Sequence, residues 1–161
     1  MNHIWSPWRM EYIERSKEEG CVFCLAQEME DSTQNLIAFR GEYAYVILNR
    51  YPYTSGHLLV IPFAHQAHLE NLDPPTRAEM MELTTRCVVV LRKIYRPEAF
   101  NVGVNLGESA GAGVKSHVHI HIVPRWQGDT NFMTVVGEAR VLPEALERTY
   151  ERVRSGFMEA A

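Results

Sequence analysis

The chain has 161 residues, of which 46% are hydrophobic and 22% are charged, and its formal net charge at pH 7 is −4 with histidine neutral. These values are typical of one globular domain with a real core, and they exclude a long basic surface that would follow a nucleic-acid backbone. No stretch approaches the ~20 apolar residues that cross a bilayer, and the N-terminus lacks the apolar centre of a secretory signal, so we expect neither a membrane nor a nucleic acid as partner.

The first part of the chain predicts an arm followed by a hairpin. Residues 1–20 are expected to form an N-terminal arm that packs against the domain. Two strand-like runs follow, over 42–49 and 56–62, and the turn-prone "RYPYTS" joins them. Together these segments indicate a hairpin with a longer loop.

The second part predicts a long helix, two strands and a final helix. Asp73 and two prolines mark the start of a helix over 73–95, and its apolar stripe comprises Met80, Leu83, Cys87, Leu91 and Ile94. "AFNVGVNLG" is expected to form a strand that runs into a glycine-rich loop, and "KSHVHIHIVPRW" a second strand. Pro143 indicates the start of a C-terminal helix over 143–158, with Leu142, Leu146, Val153 and Phe157 on one side.

The order of these elements predicts the fold class. Most strands follow hairpins or loops rather than βαβ crossovers. We therefore predict an α+β fold with an antiparallel sheet, forming a single domain over residues 1–161.

The segment "KSHVHIHIVPRW" places histidines at 117, 119 and 121, separated by aliphatic residues. Period-two alternation predicts a strand with an imidazole face and a buried aliphatic face. A solvent-facing strand, a three-histidine metal site and a phosphate-directed catalytic face are the three explanations. The metal site is disfavoured because Cα atoms of residues i and i+4 in a strand lie about 13 Å apart.

The glycine-rich "NLGESAGAGVKS" immediately upstream favours the catalytic explanation. Imidazole can present either a neutral nucleophilic nitrogen or a charged donor to phosphate. Backbone amides of the loop glycines can approach an anion closely, although a flexible turn also explains these glycines. The nucleophilic ring would need a carbonyl or similar acceptor to hold the proton on its other nitrogen.

Cys21 and Cys24 form a CxxC pair in a chain with three cysteines. The odd number favours a reducing cytoplasm over a disulfide framework. No βαβ pattern surrounds the pair, so zinc is favoured over thioredoxin-like redox chemistry, and an unmetallated buried pair stays open. Two more ligands would be required, and His65, His68 and His117 are candidates.

The sequence His117-Val-His119-Ile-His121-Ile-Val123 after a glycine-rich loop resembles the motif of the histidine-triad (HIT) family. "NRYPYTSGHLLVIP" resembles the second signature of that family, and the similarity extends over roughly residues 20–135. "SPWRMEYI" and "PRWQGDTNFM" are similar to the bacterial branch that contains diadenosine tetraphosphate phosphorylases. The resemblance implies a HIT-like fold with about five antiparallel strands, one long central helix, a C-terminal helix and a homodimer.

The resemblance also implies roles for individual residues. His119 corresponds to the nucleophile that attacks the α-phosphorus, His121 to a phosphate contact, and His57 to a histidine that holds the array. The positions that correspond to substrate contacts are Asn49 for ribose, Asn105 for phosphate or leaving group, and Gly111, Gly113 and Ser116 for phosphate. The positions that correspond to ligands of a structural zinc are Cys21, Cys24, His65 and His117. No organic cofactor is expected.

The function implied is that of a cytoplasmic nucleotidyl transferase or hydrolase acting on dinucleoside polyphosphates. Phosphorolysis of diadenosine tetraphosphate, with inorganic phosphate as co-substrate and ATP and ADP as products, is the leading prediction. His121 stands where some phosphorylases have glutamine, so hydrolysis is an alternative. A purine nucleoside phosphoramidase and a non-enzymatic nucleotide-binding or sensing module are the others.

Overall fold

The structure, a computed structural model, describes residues 20–129 and 142–160. Apart from Gly20, the predicted N-terminal arm lies outside these residues. The α-helices are α1 (Val22–Gln27), α2 (Pro74–Tyr95) and α3 (Leu146–Glu159), and the strands are β1 (Ile37–Arg40), β2 (Ala44–Leu48), β3 (Leu58–Pro62), β4 (Ala99–Val104) and β5 (Ile120–Arg125). Short 3-10 turns occupy Leu69–Asn71 and Glu108–Ala110.

The five strands form one sheet in the order β1-β2-β3-β5-β4, and every neighbouring pair is antiparallel. The predicted α+β fold with a five-stranded antiparallel sheet is therefore confirmed. None of the helices in the described part of the chain is long and apolar enough to span a bilayer.

The core lies between the sheet and helix α2. Strands β2 and β3 are buried along their whole length, and α2 packs across β2, β3 and β5. The helix begins where predicted, because the Asp73 carboxylate accepts a hydrogen bond from the Thr76 amide at 2.7 Å. It ends at Tyr95, and the following residue, Arg96, caps it in a left-handed conformation with φ of 49°. The predicted stripe faces inward: Met80, Leu83, Cys87 and Leu91 are buried and Ile94 is half-buried.

Helix α3 covers the same side of the sheet at β1 and packs on α2. It begins at Leu146, three residues later than predicted, and Pro143 lies before it. Val153 and Phe157 are fully buried as predicted, whereas Leu142 is 40% exposed. A close approach to α2 occurs at Gly156, where a Cβ atom would lie 2.7 Å from Val90 Cγ1.

The histidine strand is shorter than the pattern predicts. β5 begins at Ile120, so His117, which lies in a bend, and His119 precede it, and of the three histidines His121 belongs to the ladder. Both faces of the segment are buried rather than the aliphatic face alone, since His117 is 0% and His119 5% exposed. The reason is helix α1, whose Phe23 ring packs against both imidazoles.

Candidate active site

The His119 ring is held by the backbone of its own segment. Its Nδ1 atom lies 2.8 Å from the His117 carbonyl oxygen, which accepts a hydrogen bond from Nδ1–H. A neutral imidazole carries one ring proton, so His119 Nε2 keeps its lone pair. Burial lowers the pKa of His119, with the carbonyl hydrogen bond opposing that shift in part. The ring is thereby neutral at pH 7 and nucleophilic at Nε2.

His57 and His121 form a second hydrogen-bonded unit. His57 Nδ1 accepts from the Tyr53 amide at 3.2 Å, and His57 Nε2 lies 2.9 Å from His121 Nδ1. Because an amide can only donate, His57 Nδ1 is unprotonated and Nε2–H donates to His121. The single proton of His121 is then on Nε2, where it can donate to a phosphate oxygen. Burial, and then the neighbouring His119, lower the pKa of His121 to about 4.

The strands bring the three rings together. His121 pairs with Leu59 on β3 and with Gly103 on β4, and its ring centroid lies 4.9 Å from that of His119. His57 directly precedes β3, and its centroid lies 5.2 Å from that of His121. One face of the sheet thus presents a nucleophilic nitrogen beside a hydrogen-bond donor.

A cleft of about 800 Å³ adjoins His121. Asn105, predicted to contact phosphate or the leaving group, also lines it. The volume lies in the range of cavities that hold small-molecule ligands. Trp126, whose place after "PR" suggests either the pocket lining or plain packing, lines the cleft as well. Further lining residues that the sequence did not single out include Tyr53, Tyr95, Asn101 and Arg152.

Two arginines that line the cleft are paired with carboxylates. Arg125 forms a two-point interaction with the Asp129 carboxylate, at 2.6 and 2.7 Å, and Arg152 donates to Glu144 at 2.9 Å. The charges there are therefore compensated. Tyr95 also donates to Glu144, and the Arg152 guanidinium lies 4.3 Å from the centre of the Tyr95 ring.

Asn49 directly follows β2 and contacts His57. Its Nδ2 atom is 3.3 Å from His57 Nδ1, and its Oδ1 accepts from the Tyr51 amide at 3.0 Å. With Ser55 and His57 it lines a smaller cavity of about 110 Å³. Asn49 is thus brought to the histidine array.

The glycine-rich loop has a more specific geometry than the sequence predicts. Gly111 adopts a φ of 87°, which favours glycine, whereas Gly113 shows no such conformation. The Gly111 amide donates to Glu108 O at 2.9 Å, and so part of the backbone that was expected to face an anion is used inside the loop. Gly111, Gly113 and Ser116 are exposed.

The four predicted metal ligands lie together. One ligand atom from each of Cys21, Cys24, His65 and His117 lies within 4.8 Å of the others. His65 Nδ1 is 3.3 Å from Cys24 Sγ, and His117 Nδ1 is 3.3 Å from Cys21 Sγ and 3.7 Å from Cys24 Sγ. Tetrahedral zinc with ordinary bond lengths separates sulfur and nitrogen ligands by about 3.5 Å. The donor set and spacing therefore fit such an ion.

The surroundings of the cluster also suit a metal. His117 Nε2–H donates to Pro62 O at 2.9 Å, which leaves Nδ1 as the ligand nitrogen, and the Val118 amide donates to Gln66 O at 2.7 Å. Burial and the neighbouring Cys21 raise the pKa of Cys24 to about 11. A bound cation would stabilise the Cys24 thiolate and so offset this rise. His68, the rejected alternative, is exposed and lies by Glu70.

Two residues near the histidines were missed. Phe23 sits inside the CxxC and contacts His119, and Tyr53 stacks on His121 with ring planes 6° apart. A buried aromatic between two ligands is the only signal for Phe23. Tyr53 lies in "NRYPY", but nothing in its spacing distinguishes it from a turn residue.

Comparison with known proteins identifies related sequences and folds. Residues 30–128 match a family model described as HIT domain. The chain is 37% identical over 158 residues to a Mycobacterium tuberculosis protein named AP-4-A phosphorylase, covering 92% of this chain and 80% of that one. It is 31% identical over 93 residues to a Schizosaccharomyces pombe bis(5'-nucleosyl)-tetraphosphatase (asymmetrical), covering 58% of this chain and 50% of that one. The crystal structure of a Zn-bound histidine triad family protein from Mycobacterium smegmatis has a TM-score of 0.70 at 28% identity, covering 88% and 95%.

Proposed function

This chain belongs to the HIT family, and we propose from that premise that it is a nucleotidyl transferase that cleaves dinucleoside polyphosphates. Phosphorolysis of diadenosine tetraphosphate is the proposed reaction, supported by the 37% identity to the mycobacterial AP-4-A phosphorylase. The observation that carries the catalytic part is the hydrogen bond from His119 Nδ1 to the His117 carbonyl, which leaves Nε2 free to attack.

The proposed reaction has two displacements at one phosphorus atom. His119 Nε2 attacks the α-phosphorus, a P–N bond forms, and the P–O bond to the bridging oxygen breaks, which releases ATP. Inorganic phosphate then attacks the same phosphorus, the P–N bond breaks, and ADP leaves with the ring nitrogen restored. His121 Nε2–H would donate to the phosphate oxygens as charge develops, and His57 would hold the His121 tautomer.

Asn105, Asn49 and the loop residues Gly111, Gly113 and Ser116 are proposed to bind the substrate. Asn105 lines the cleft next to His121, which supports a contact to the phosphate chain or the leaving group. Asn49 lies against His57 and is proposed to contact ribose.

Hydrolysis is the second candidate. In that reaction water replaces inorganic phosphate in the second displacement and releases AMP. The presence of His121 rather than glutamine at the third triad position favours it, and the similarity to the fission yeast tetraphosphatase adds support.

Product analysis separates the two reactions. The protein is incubated with diadenosine tetraphosphate, with and without inorganic phosphate, and the products are resolved by chromatography. We expect ADP and ATP only when phosphate is present. AMP and ATP formed without phosphate would assign hydrolysis, and absence of cleavage under both conditions would contradict the proposal.

The nucleophile is tested in the same assay. His119→Ala is expected to lower kcat at least about 10³-fold, because the covalent step is lost while the fold remains. His68→Ala is the matched control, since His68 is exposed and has no proposed role in the reaction. Comparable turnover by the two variants would exclude His119 as nucleophile.

We propose that Cys21, Cys24, His65 and His117 hold a structural zinc ion. When bound, the metal would tie α1 to the histidine segment and carry no step of the reaction. His65→Ala is expected to lose most of the bound zinc by metal analysis, whereas His68→Ala retains about one ion per chain. Retention by His65→Ala together with loss by His68→Ala would show that the wrong histidine was assigned.

The remaining proposals concern the oligomeric state, the location and the domain organisation of the protein. We propose a homodimer and a cytoplasmic location, the latter because CxxC and an odd cysteine number suit a reducing compartment. The whole chain is proposed to act as one domain.

A further inference from the structure

Phe23 connects the Cys/His cluster to the proposed nucleophile. It lies between the two cysteines on α1 and is only 8% exposed. Its ring centroid is 5.1 Å from that of His119 and 5.6 Å from that of His117, both in edge contacts. Rings at these separations and angles attract one another, and the contact restricts rotation of the imidazole.

The backbone of Phe23 is also fixed. Its carbonyl oxygen accepts from the Tyr45 hydroxyl at 2.9 Å, and Tyr45 is fully buried in the sheet. α1 has only six residues and no side-chain cap, so its own hydrogen bonds stabilise it weakly. The placement of the Phe23 ring therefore depends on Tyr45 and on the two cysteines.

The His119 ring is buried, and its hydrogen bond and its contacts with other rings are the directional restraints on it that the structure shows. Its Nδ1 is bonded to the His117 carbonyl, and its second ring contact is His121. The hydrogen bond fixes the tautomer and anchors one ring atom, so the tilt of the ring is set by the side chains packed against it. A packed side chain is needed to hold Nε2 in line with the phosphorus atom.

We propose that Phe23 is a positioning residue through which the Cys/His cluster orients the His119 imidazole, so that turnover depends on the metal occupancy of a site that takes no part in the chemistry. This inference rests on the proposed function for its kinetic consequences. Loss of the metal should therefore lower kcat and leave substrate binding unchanged.

The first test compares Phe23→Leu with wild type and with Phe39→Leu, a phenylalanine that stacks on Phe157 away from the histidines. Misplacing a reacting atom by about 1 Å can cost on the order of 10²-fold in rate. We expect kcat of Phe23→Leu to fall roughly 10- to 100-fold with KM within about twofold and zinc content unchanged. Phe39→Leu should keep both constants. If Phe23→Leu fails to fold, Phe23→Met, with similar volume and a flexible side chain, replaces it.

The second test removes the metal. Chelation of the wild type is expected to lower kcat as Phe23→Leu does, and chelation of Phe23→Leu should add little, because both changes act through one contact. Fully additive losses would overturn the proposed route through Phe23.

A third readout needs no activity. Solvent exchange of the His119 Nδ1 proton, followed by NMR on labelled histidine, should be faster in Phe23→Leu and in the chelated wild type than in Phe39→Leu. Unchanged exchange with unchanged kcat would overturn the inference, as would a raised KM at constant kcat, which would place Phe23 in the substrate pocket. If the wild type cleaves no dinucleotide, the proposed function fails while the exchange comparison still decides the positioning role.

Discussion

At the scale of single residues, a hydrogen-bond partner determines which ring nitrogen carries the proton in each of four histidines. The carbonyls of Pro62 and His117 hold the protons of His117 Nε2 and His119 Nδ1. The Tyr53 amide excludes a proton from His57 Nδ1 and so sets the tautomers of His57 and His121. The HIT motif identifies which rings matter, but these acceptors lie on the backbone, whose path a sequence pattern does not give.

The low pKa of His121 makes stability depend on pH. Its pKa is about 4 in the folded chain, against about 6.5 in the unfolded chain, so between these values only the unfolded state takes up the proton. Stability should therefore fall as pH is lowered from 6.5 to 4. Urea unfolding of His121→Gln over this interval should give a shallower fall than wild type, whereas His68→Gln should match wild type. Equal slopes for His121→Gln and wild type would contradict the shift.

At the scale of elements, the long periodic segments were predictable and the short ones were not. Helix α2 and the hairpin strands have caps, stripes or apolar runs that local sequence reveals. β1 has four residues and an irregular register, and it follows Leu36, which has a φ of 65°. α1 has six residues and no capping side chain. Both are stabilised by contacts distant in sequence, which periodicity cannot detect.

The attachment of the β1–β2 turn to α2 depends on Glu79. Its carboxylate accepts hydrogen bonds from the amides of Glu42, Tyr43 and Ala44. Glu79→Gln should lower the free energy of unfolding by about 1–3 kcal/mol, since a charged acceptor is lost and an amide group faces backbone donors. Urea denaturation is the measurement, with Glu82→Gln, an exposed position on the same helix, as control. A change no larger than that of the control would show that the three bonds contribute little.

At the scale of the whole molecule, β4 forms one edge of the sheet within the described residues. Much of it is exposed, and Val102 in its centre is 49% exposed and also lines the cleft. An edge strand with exposed apolar side chains favours association with another chain. This supports a homodimer formed through β4, which would bring a partner to the border of the proposed active site.

The dimer is tested by charge at this edge. Val102→Arg should shift the protein to monomer in sedimentation experiments, because a buried, unpaired guanidinium would destabilise the interface by several kcal/mol. Val89→Arg on the outer face of α2 is the matched control, as Val89 is 57% exposed. A monomeric wild type, or a Val102→Arg protein that stays dimeric, would contradict association through β4.

The spacing of the site residues along the chain explains which of them a sequence pattern can identify. The triad and the CxxC are compact motifs: the pairing of β3 with β5 brings His57 to His121, and the hydrogen bond from Tyr45 to the Phe23 carbonyl holds the CxxC segment on the sheet. The cleft is assembled from segments far apart in the chain, including Tyr53, Tyr95, Asn101 and Arg152. Each of these residues alone has an ordinary packing explanation, so only the folded arrangement identifies them.

The amide that sets the tautomer of His57 belongs to the main chain at position 53. Every residue except proline supplies that amide, so the tyrosine side chain can be exchanged while the ring protons of His57 and His121 stay where they are. Position 53 therefore carries two separable contributions: its amide sets the ring protons whatever the residue, whereas its ring packs on His57 and His121 and lines the cleft, so substitutions there alter ring packing and substrate contacts while the tautomers are kept.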